Sequence, residues 1–149
     1  MQVRIENDMR PAVVKWIRNS GYVCDGRECL LGWYCDVVGW KFAPRNGRRI
    51  PELRSLVAVE LKLSRISEAV DQASVYRGYA TETWVAMPER TCERMTEKSR
   101  AKFHEHGCGL LSVSDTGEVV EAIAPRAGHV PRDMWRKQKA LLARDGRRS

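Results

Sequence analysis

Glu60 and Lys62 stand two residues apart in Ser55-Leu56-Val57-Ala58-Val59-Glu60-Leu61-Lys62-Leu63, a run that is otherwise almost wholly apolar. In a strand, residues i and i+2 project from one face, so the two charges point together while Leu61 packs the other way. Charges on a strand of Val and Leu are costly unless they are paired or bind something. Asp36 repeats the anomaly, interrupting Leu30-Leu31-Gly32-Trp33-Tyr34-Cys35 and Val37-Val38-Gly39-Trp40. If the two strands pair, Asp36 and Glu60 converge. Two carboxylates and the Leu61 carbonyl then form an oxygen-rich set suited to Mg²⁺ or Mn²⁺. Such an ion polarises a phosphoryl oxygen and lowers the pKa of water, and Lys62 can orient that water and offset charge on phosphorus. The plain alternative is a turn aspartate and a same-face ion pair. Glu-x-Lys alone is common; its weight here comes from the apolar strand around it and from the carboxylate on the strand before.

The elements that must position these groups follow from periodicity. Residues 7–20 predict a helix, with Met9, Val13, Trp16 and Ile17 at three- and four-residue spacing and Gly21 as its stop. Strands are expected around Tyr22-Val23-Cys24, over 30–42 and over 55–63, the last covered on both faces. Pro44, Asn46, Gly47 and Pro51 mark the loop between the second and third. A helix is expected over 66–80 with Ile66, Val70 and Ala73 inward, then a strand over 84–87 closed by Pro88. One helix is expected over 91–106, with Met95, Ser99 and Phe103 inward and Gly107 beyond it. Strands over 110–113 and 119–123 flank a hairpin turn, and a basic helix is expected over 131–144. This order implies a crossover in a mixed sheet, hence an α/β chain folded as a three-layer α/β/α sandwich. Residues 1–124 are expected to form the main domain, and 125–149 a basic C-terminal helix and tail.

These residues resemble the PD-(D/E)xK nucleases, the restriction endonuclease-like superfamily that includes Holliday junction resolvases and recombination-repair exonucleases. Those proteins carry an Asp on one strand of a hairpin, (Asp/Glu)-x-Lys on the next, and a helix after it. Here the match is Asp36, then Glu60-Leu61-Lys62, then Gln72 and Tyr76 at i and i+4, similar to the Gln-xxx-Tyr element of the exonuclease-like branches. The likeness spans residues 9–123. Cys35 stands where the namesake Pro often precedes the Asp, and the 23 residues between Asp36 and Glu60 are a long interval. The resemblance implies a restriction endonuclease-like fold and Mg²⁺- or Mn²⁺-dependent hydrolysis of DNA phosphodiesters. Asp36, Glu60 and Leu61 would hold the metal, Lys62 would orient the attacking water, and Gln72 and Tyr76 would lie beside them. It also implies that an acidic residue of the first helix, Glu6 or Asp8, can join the site. Resolvases and restriction enzymes usually act as homodimers. The competing implication is a catalytically silent member that binds DNA or scaffolds a complex.

Charge distribution agrees with a polyanionic partner. The net charge is +7, and the stretch from Pro125 to Ser149 holds eight basic residues (Arg126, Arg132, Arg136, Lys137, Lys139, Arg144, Arg147, Arg148) against Asp133 and Asp145. Lys41, Arg45, Arg48, Arg49 and Arg54 against Glu52 form a second concentration. Both patches suit nucleic acid, and a solubilising surface is the simpler reading of either one alone. Trp135 can stack on a base or anchor the tail helix on the body. With 149 residues, 43% of them apolar and 30% charged, the chain suits one globular domain and argues against disorder. Met1-Gln2-Val3-Arg4-Ile5-Glu6 has no apolar leader core, and the expectation is a cytoplasmic protein without a membrane span or small-molecule cofactor. Cys24, Cys29, Cys35, Cys92 and Cys108 are odd in number and lack a CxxC pair, so buried thiols are expected over zinc ligands or disulfides. His104 and His106, beside a Gly at a helix end, are expected to be a polar cap rather than a general base.

Overall fold

A computed structural model of the chain describes residues 2–24, 28–30, 33–43, 47, 52–133 and 141. A 3-10 turn over Glu6–Met9 leads directly into α1 (Arg10–Asn19). Pro11 fits the first turn of that helix, and Gly21, at φ 88°, turns the chain out of it. Short strands follow: β1 (Val23–Cys24), β2 (Glu28–Leu30), β3 (Trp33–Cys35), β4 (Val37–Phe42) and the long β5 (Leu53–Leu61). Then come α2 (Ile66–Val75), a 3-10 turn over Tyr76–Gly78, β6 (Glu82–Pro88), α3 (Glu89–Glu93) and α4 (Glu97–His106). The chain then folds into a hairpin of β7 (Gly109–Val113) and β8 (Val119–Ile123).

The protein is a mixed α/β chain built on a six-stranded sheet in the order β1-β4-β5-β6-β7-β8. The β4–β5 pair is antiparallel, β5–β6 and β6–β7 are parallel, and β7–β8 closes antiparallel. A parallel step needs a crossover, which α2 supplies between β5 and β6, and α3 with α4 between β6 and β7. Alternation along β5 decides where the core lies. Val57, Val59 and Leu61 pack with Val13 and Ile17 of α1. Leu56 and Ala58 face away, toward Trp40 and Tyr76, and the same side of β6 and β7 packs Val85, Met87 and Leu110 on Ala69, Val70, Ala73 and Phe103. Gly39 permits the close approach of α1, because a β-carbon there would collide with Ile17.

Three expectations about elements need correction. The strand expected over 30–42 is broken at Asp36 into β3 and β4, and β3 pairs with β2 in a separate two-stranded sheet. The helix expected over 91–106 is two helices, because the Thr96 hydroxyl accepts from the Ser99 N–H at 3.2 Å and starts α4 afresh. The helix expected over 66–80 ends at Val75, so Tyr76 begins a 3-10 turn. Of the basic helix expected over 131–144, only Leu141 and the short stretch 131–133 fall within the described residues. Leu141 is fully buried against the core beside Trp40, Leu56 and Tyr76. The Asp133 N–H donates to the Gly78 carbonyl at 2.8 Å, and a ring nitrogen of His129 lies 2.7 Å from the Arg77 carbonyl oxygen. The segment after Ala124 is therefore tied to the body. Among the described residues, no helix is long and apolar enough to cross a membrane.

Candidate active site

The β4–β5 register sets Val37 opposite Val59, so the next step toward the sheet end brings Asp36 against Glu60. Asp36 leaves the ladder at this point. Its Oδ2 accepts from the Leu61 N–H at 2.9 Å, and Arg10 of α1 donates to its carbonyl. The carboxylate thus replaces a ladder partner of Leu61, which is why the strand breaks there. Arg10 is itself steadied by Asn7, whose Oδ1 accepts from its Nε at 2.7 Å.

Glu60 sits half-buried between these elements, and its Oε2 is a buried oxygen without a hydrogen-bond partner. Its pKa is pushed up to about 8, first by burial, then by the charge of Asp36 and a hydrogen bond to it. Lys62 acts in the opposite direction, and Glu6 adds to the rise. Burial beside a like charge disfavours the ionised form, which is the direction of the Glu60 shift. Cys35 is fully buried beside them; burial first, then the charge of Glu60, pushes its thiol up and keeps it protonated. Tyr76 is buried and pushed up as well, by burial first and then by Cys35, Glu60 and Asp36, and it is hydrogen-bonded to Glu60. Gln72, one turn earlier on α2, likewise has a buried Oε1 with no partner.

Lys62 shares the Glu60 face, as the two-residue spacing requires, while Leu61 packs into the α1 side. Its Nζ lies 3.5 Å from Glu68 Oε1, and the other oxygen of that carboxylate is 3.7 Å from Arg65 Nη1. Glu68 therefore holds the lysine from the α2 side. Glu6, among the acidic residues of the first helical turn, is near enough to act on Glu60. Asp8 is turned away, its Oδ2 accepting from the Arg4 and Ile5 N–H groups.

The basic residues divide differently from the sequence expectation. Lys41 pairs with Ser55 across the β4–β5 ladder, five residues from Asp36, which places it roughly 16 Å along the hairpin from the carboxylates. Arg54 is exposed near the same far end, and Arg132 is exposed on the C-terminal segment. Arg45, Arg48, Arg49, Arg136, Lys137 and Lys139 lie outside the described residues. The cations at the carboxylate end are Arg10, Lys62, Arg65 and Arg90, three of which sequence reasoning missed. A signal existed for Arg10: a cation in the first turn opposes the helix dipole and wants a local reason.

A divalent cation fits part of this donor set. Glu60 Oε2, buried and without a hydrogen-bond partner, is an acceptor that such a cation would use, and it belongs to the carboxyl whose proton affinity is raised. Among the described residues, however, no three His, Cys, Asp or Glu side chains are close enough to form a complete ligand group. Backbone carbonyl, Gln72 Oε1 and water would have to finish the shell. Among the described residues, Cys35, Cys92 and Cys108 are buried thiols, and Cys24 is buried. Comparison with family models, with curated proteins and with solved structures finds no match to this chain.

Proposed function

We propose that this chain is a Mg²⁺- or Mn²⁺-dependent nuclease of the PD-(D/E)xK kind, hydrolysing DNA phosphodiesters at the Asp36–Glu60–Lys62 end of the sheet. The three-layer, restriction endonuclease-like arrangement is part of this reading, with α1 on one side of the sheet and α2 and α4 on the other. The observation that carries it is the buried pair: Glu60, with one partnerless oxygen, is held against Asp36 on a strand end that also presents Lys62. A pair built only for stability would not leave that oxygen unsatisfied.

Asp36 and Glu60 would hold the cation with the Leu61 carbonyl, and Gln72 Oε1, a buried acceptor without a partner on α2, would be a further donor. The chemistry such an ion supplies when bound is polarisation of a phosphoryl oxygen and a lowered pKa for nearby water. With its pKa pushed up to about 8, Glu60 would give up its proton on serving as a ligand. Lys62 Nζ, steadied by Glu68, donates hydrogen bonds that orient the attacking water and offset charge growing on the phosphate. Tyr76 fixes the Glu60 carboxyl through its hydroxyl.

A second reading, a silent DNA-binding or scaffolding member of the fold, is favoured by one observation, the lack of a third acidic ligand among the described residues. A cleavage assay over linear, circular, nicked and four-way-junction DNA decides between them. The nuclease reading expects product with Mg²⁺ or Mn²⁺, none with chelator, and none from Glu60→Gln. Tight DNA binding with no cleavage under any divalent ion would select the silent reading.

A further inference from the structure

At the other end of the sheet, on the α1 side, Trp16, Tyr22, Lys41, Glu82, Trp84 and Glu121 line a cleft of about 300 Å³. It opens near Val57 and Glu82, three residues before Glu60 and Val85 along β5 and β6, so it lies roughly 10 Å along the strand from Glu60. Its floor is built rather than incidental. Gly109 lets the Trp84 indole lie flat on the sheet, since a β-carbon there would collide with the ring. Trp16 meets Trp84 edge-on, with centroids 5.3 Å apart and planes at 75°. Trp84 Nε1 donates to Glu82 Oε2 at 3.2 Å, fixing that carboxylate at the wall. Tyr22 is held by its hydroxyl, 2.8 Å from Ser55 Oγ, which in turn lies 3.0 Å from Thr81 Oγ1.

We infer that this cleft is a binding site for an aliphatic ammonium or guanidinium ion. Trp16 and Tyr22 present aromatic surface above the buried Trp84, and two carboxylates stand against one lysine, so the lining is locally net negative on a chain of net charge +7. That balance repels phosphate and attracts cations. The chain already demonstrates the preference, because its own Lys41 Nζ sits 4.2 Å from the centre of the Tyr22 ring. A ligand cation would use the Trp16 side of the cleft, with Glu82 and Glu121 as counter-charges. The cation can be free, as a polyamine, or carried on a protein side chain. This inference does not depend on the nuclease reading.

The test uses the full chain without divalent ions at physiological salt, titrated with spermidine, Nα-acetyl-arginine amide or inorganic phosphate. Tryptophan fluorescence and calorimetry read binding. Saturable binding of spermidine or the arginine amide is expected, with none for phosphate, and the tighter of the two cations identifies the source. Glu82→Gln keeps an acceptor for Trp84, and Glu121 is exposed, so neither substitution threatens the fold. Each should weaken binding about tenfold, the worth of one well-placed charge. No saturation by either cation below about 10 mM, or affinity unchanged in the double variant, overturns the assignment.

Discussion

The two ends of the β4–β5 hairpin carry opposite charges in opposite settings. At the Asp36–Glu60 end, two half-buried carboxyls are held against each other, the Glu60 pKa is pushed up, and one Glu60 oxygen is left unsatisfied. At the far end, Lys41 rests on a tyrosine ring and Arg54 is exposed, neither held against a cost. The difference is informative because burial makes a charge expensive, so a buried one needs a reason, whereas an exposed one needs none. Counting cations in the sequence points to the second end; weighing energies points to the first.

The sharpest way to break this comparison is to neutralise the buried end. Glu60→Gln and Lys62→Ala should each reduce cleavage by about three orders of magnitude or more while the fold survives. Asp36 needs a gentler change. Its Oδ2 takes the Leu61 N–H, so Asp36→Ala would strand a buried donor at a cost of about 1–3 kcal/mol. Asp36→Asn keeps an acceptor and should be inactive yet folded by circular dichroism. Full activity in any of the three variants would remove the catalytic assignment.

Next in size is the C-terminal segment, which the charge count treats as a DNA-binding arm. Leu141 is buried in the core beside Trp40 and Leu56, so Leu141→Ala should cost about 2–5 kcal/mol in denaturant unfolding. A chain ending at Ala124 should unfold or aggregate rather than merely bind DNA more weakly. A stable, soluble truncation would show that the arm is separable after all.

A smaller effect comes from the raised pKa of Glu60. Glu60 binds its proton more tightly in the folded chain, with a pKa near 8, than an ordinary glutamate does. Its contribution to stability is therefore complete below the ordinary glutamate range and is lost as pH rises toward and through about 8. Metal-free protein should melt at a lower temperature at pH 9 than at pH 6, and Glu60→Gln should flatten that trend. Mg²⁺ should stabilise the wild type more at high pH than at low pH, since ion and proton compete for one carboxylate. An identical pH trend in Glu60→Gln would mean that another group titrates.

What the sequence made legible was local. The apolar run with Glu60 and Lys62 on one face, the pairing that brings Asp36 opposite, and the helix carrying Gln72 and leading into Tyr76 all follow from period-two and period-3.6 patterns. The break at Asp36 did not, because it depends on Arg10 from 26 residues away and on the Leu61 N–H. Apolar neighbours gave no sign of either. The Lys62–Glu68 contact joins a strand end to the next helix through a left-handed Arg65 at φ 57°, a conformation that no residue-type pattern announces. Charge counting carries no direction either. It found Lys41 and Arg54 but could not say that β4 and β5 carry them away from the carboxylates.

The smallest expected effect tests that last point. If DNA spans from the carboxylate end to the far end of β4 and β5, Lys41 and Arg54 neutralise phosphates, and each contact adds about −0.9 to the slope of log K against log salt. Changing both to Ala should then flatten the slope by about two, with turnover at saturating DNA unchanged. If DNA instead lies across Arg10, Lys62, Arg65 and Arg90, the double variant should leave the slope intact. In that case Arg65→Ala, an exposed cation beside Glu68, should flatten it by about one. Arg65 suits this comparison because its side chain is 78% exposed and its partner Glu68 is only three residues on, so removing it disturbs no packing. A slope that moves with Lys41 and Arg54 alone would make the far end the binding surface and leave the buried end to chemistry. A slope that moves with Arg65 alone would put binding and chemistry at one end of the sheet, and would leave Lys41 and Arg54 with no more than a solubilising role.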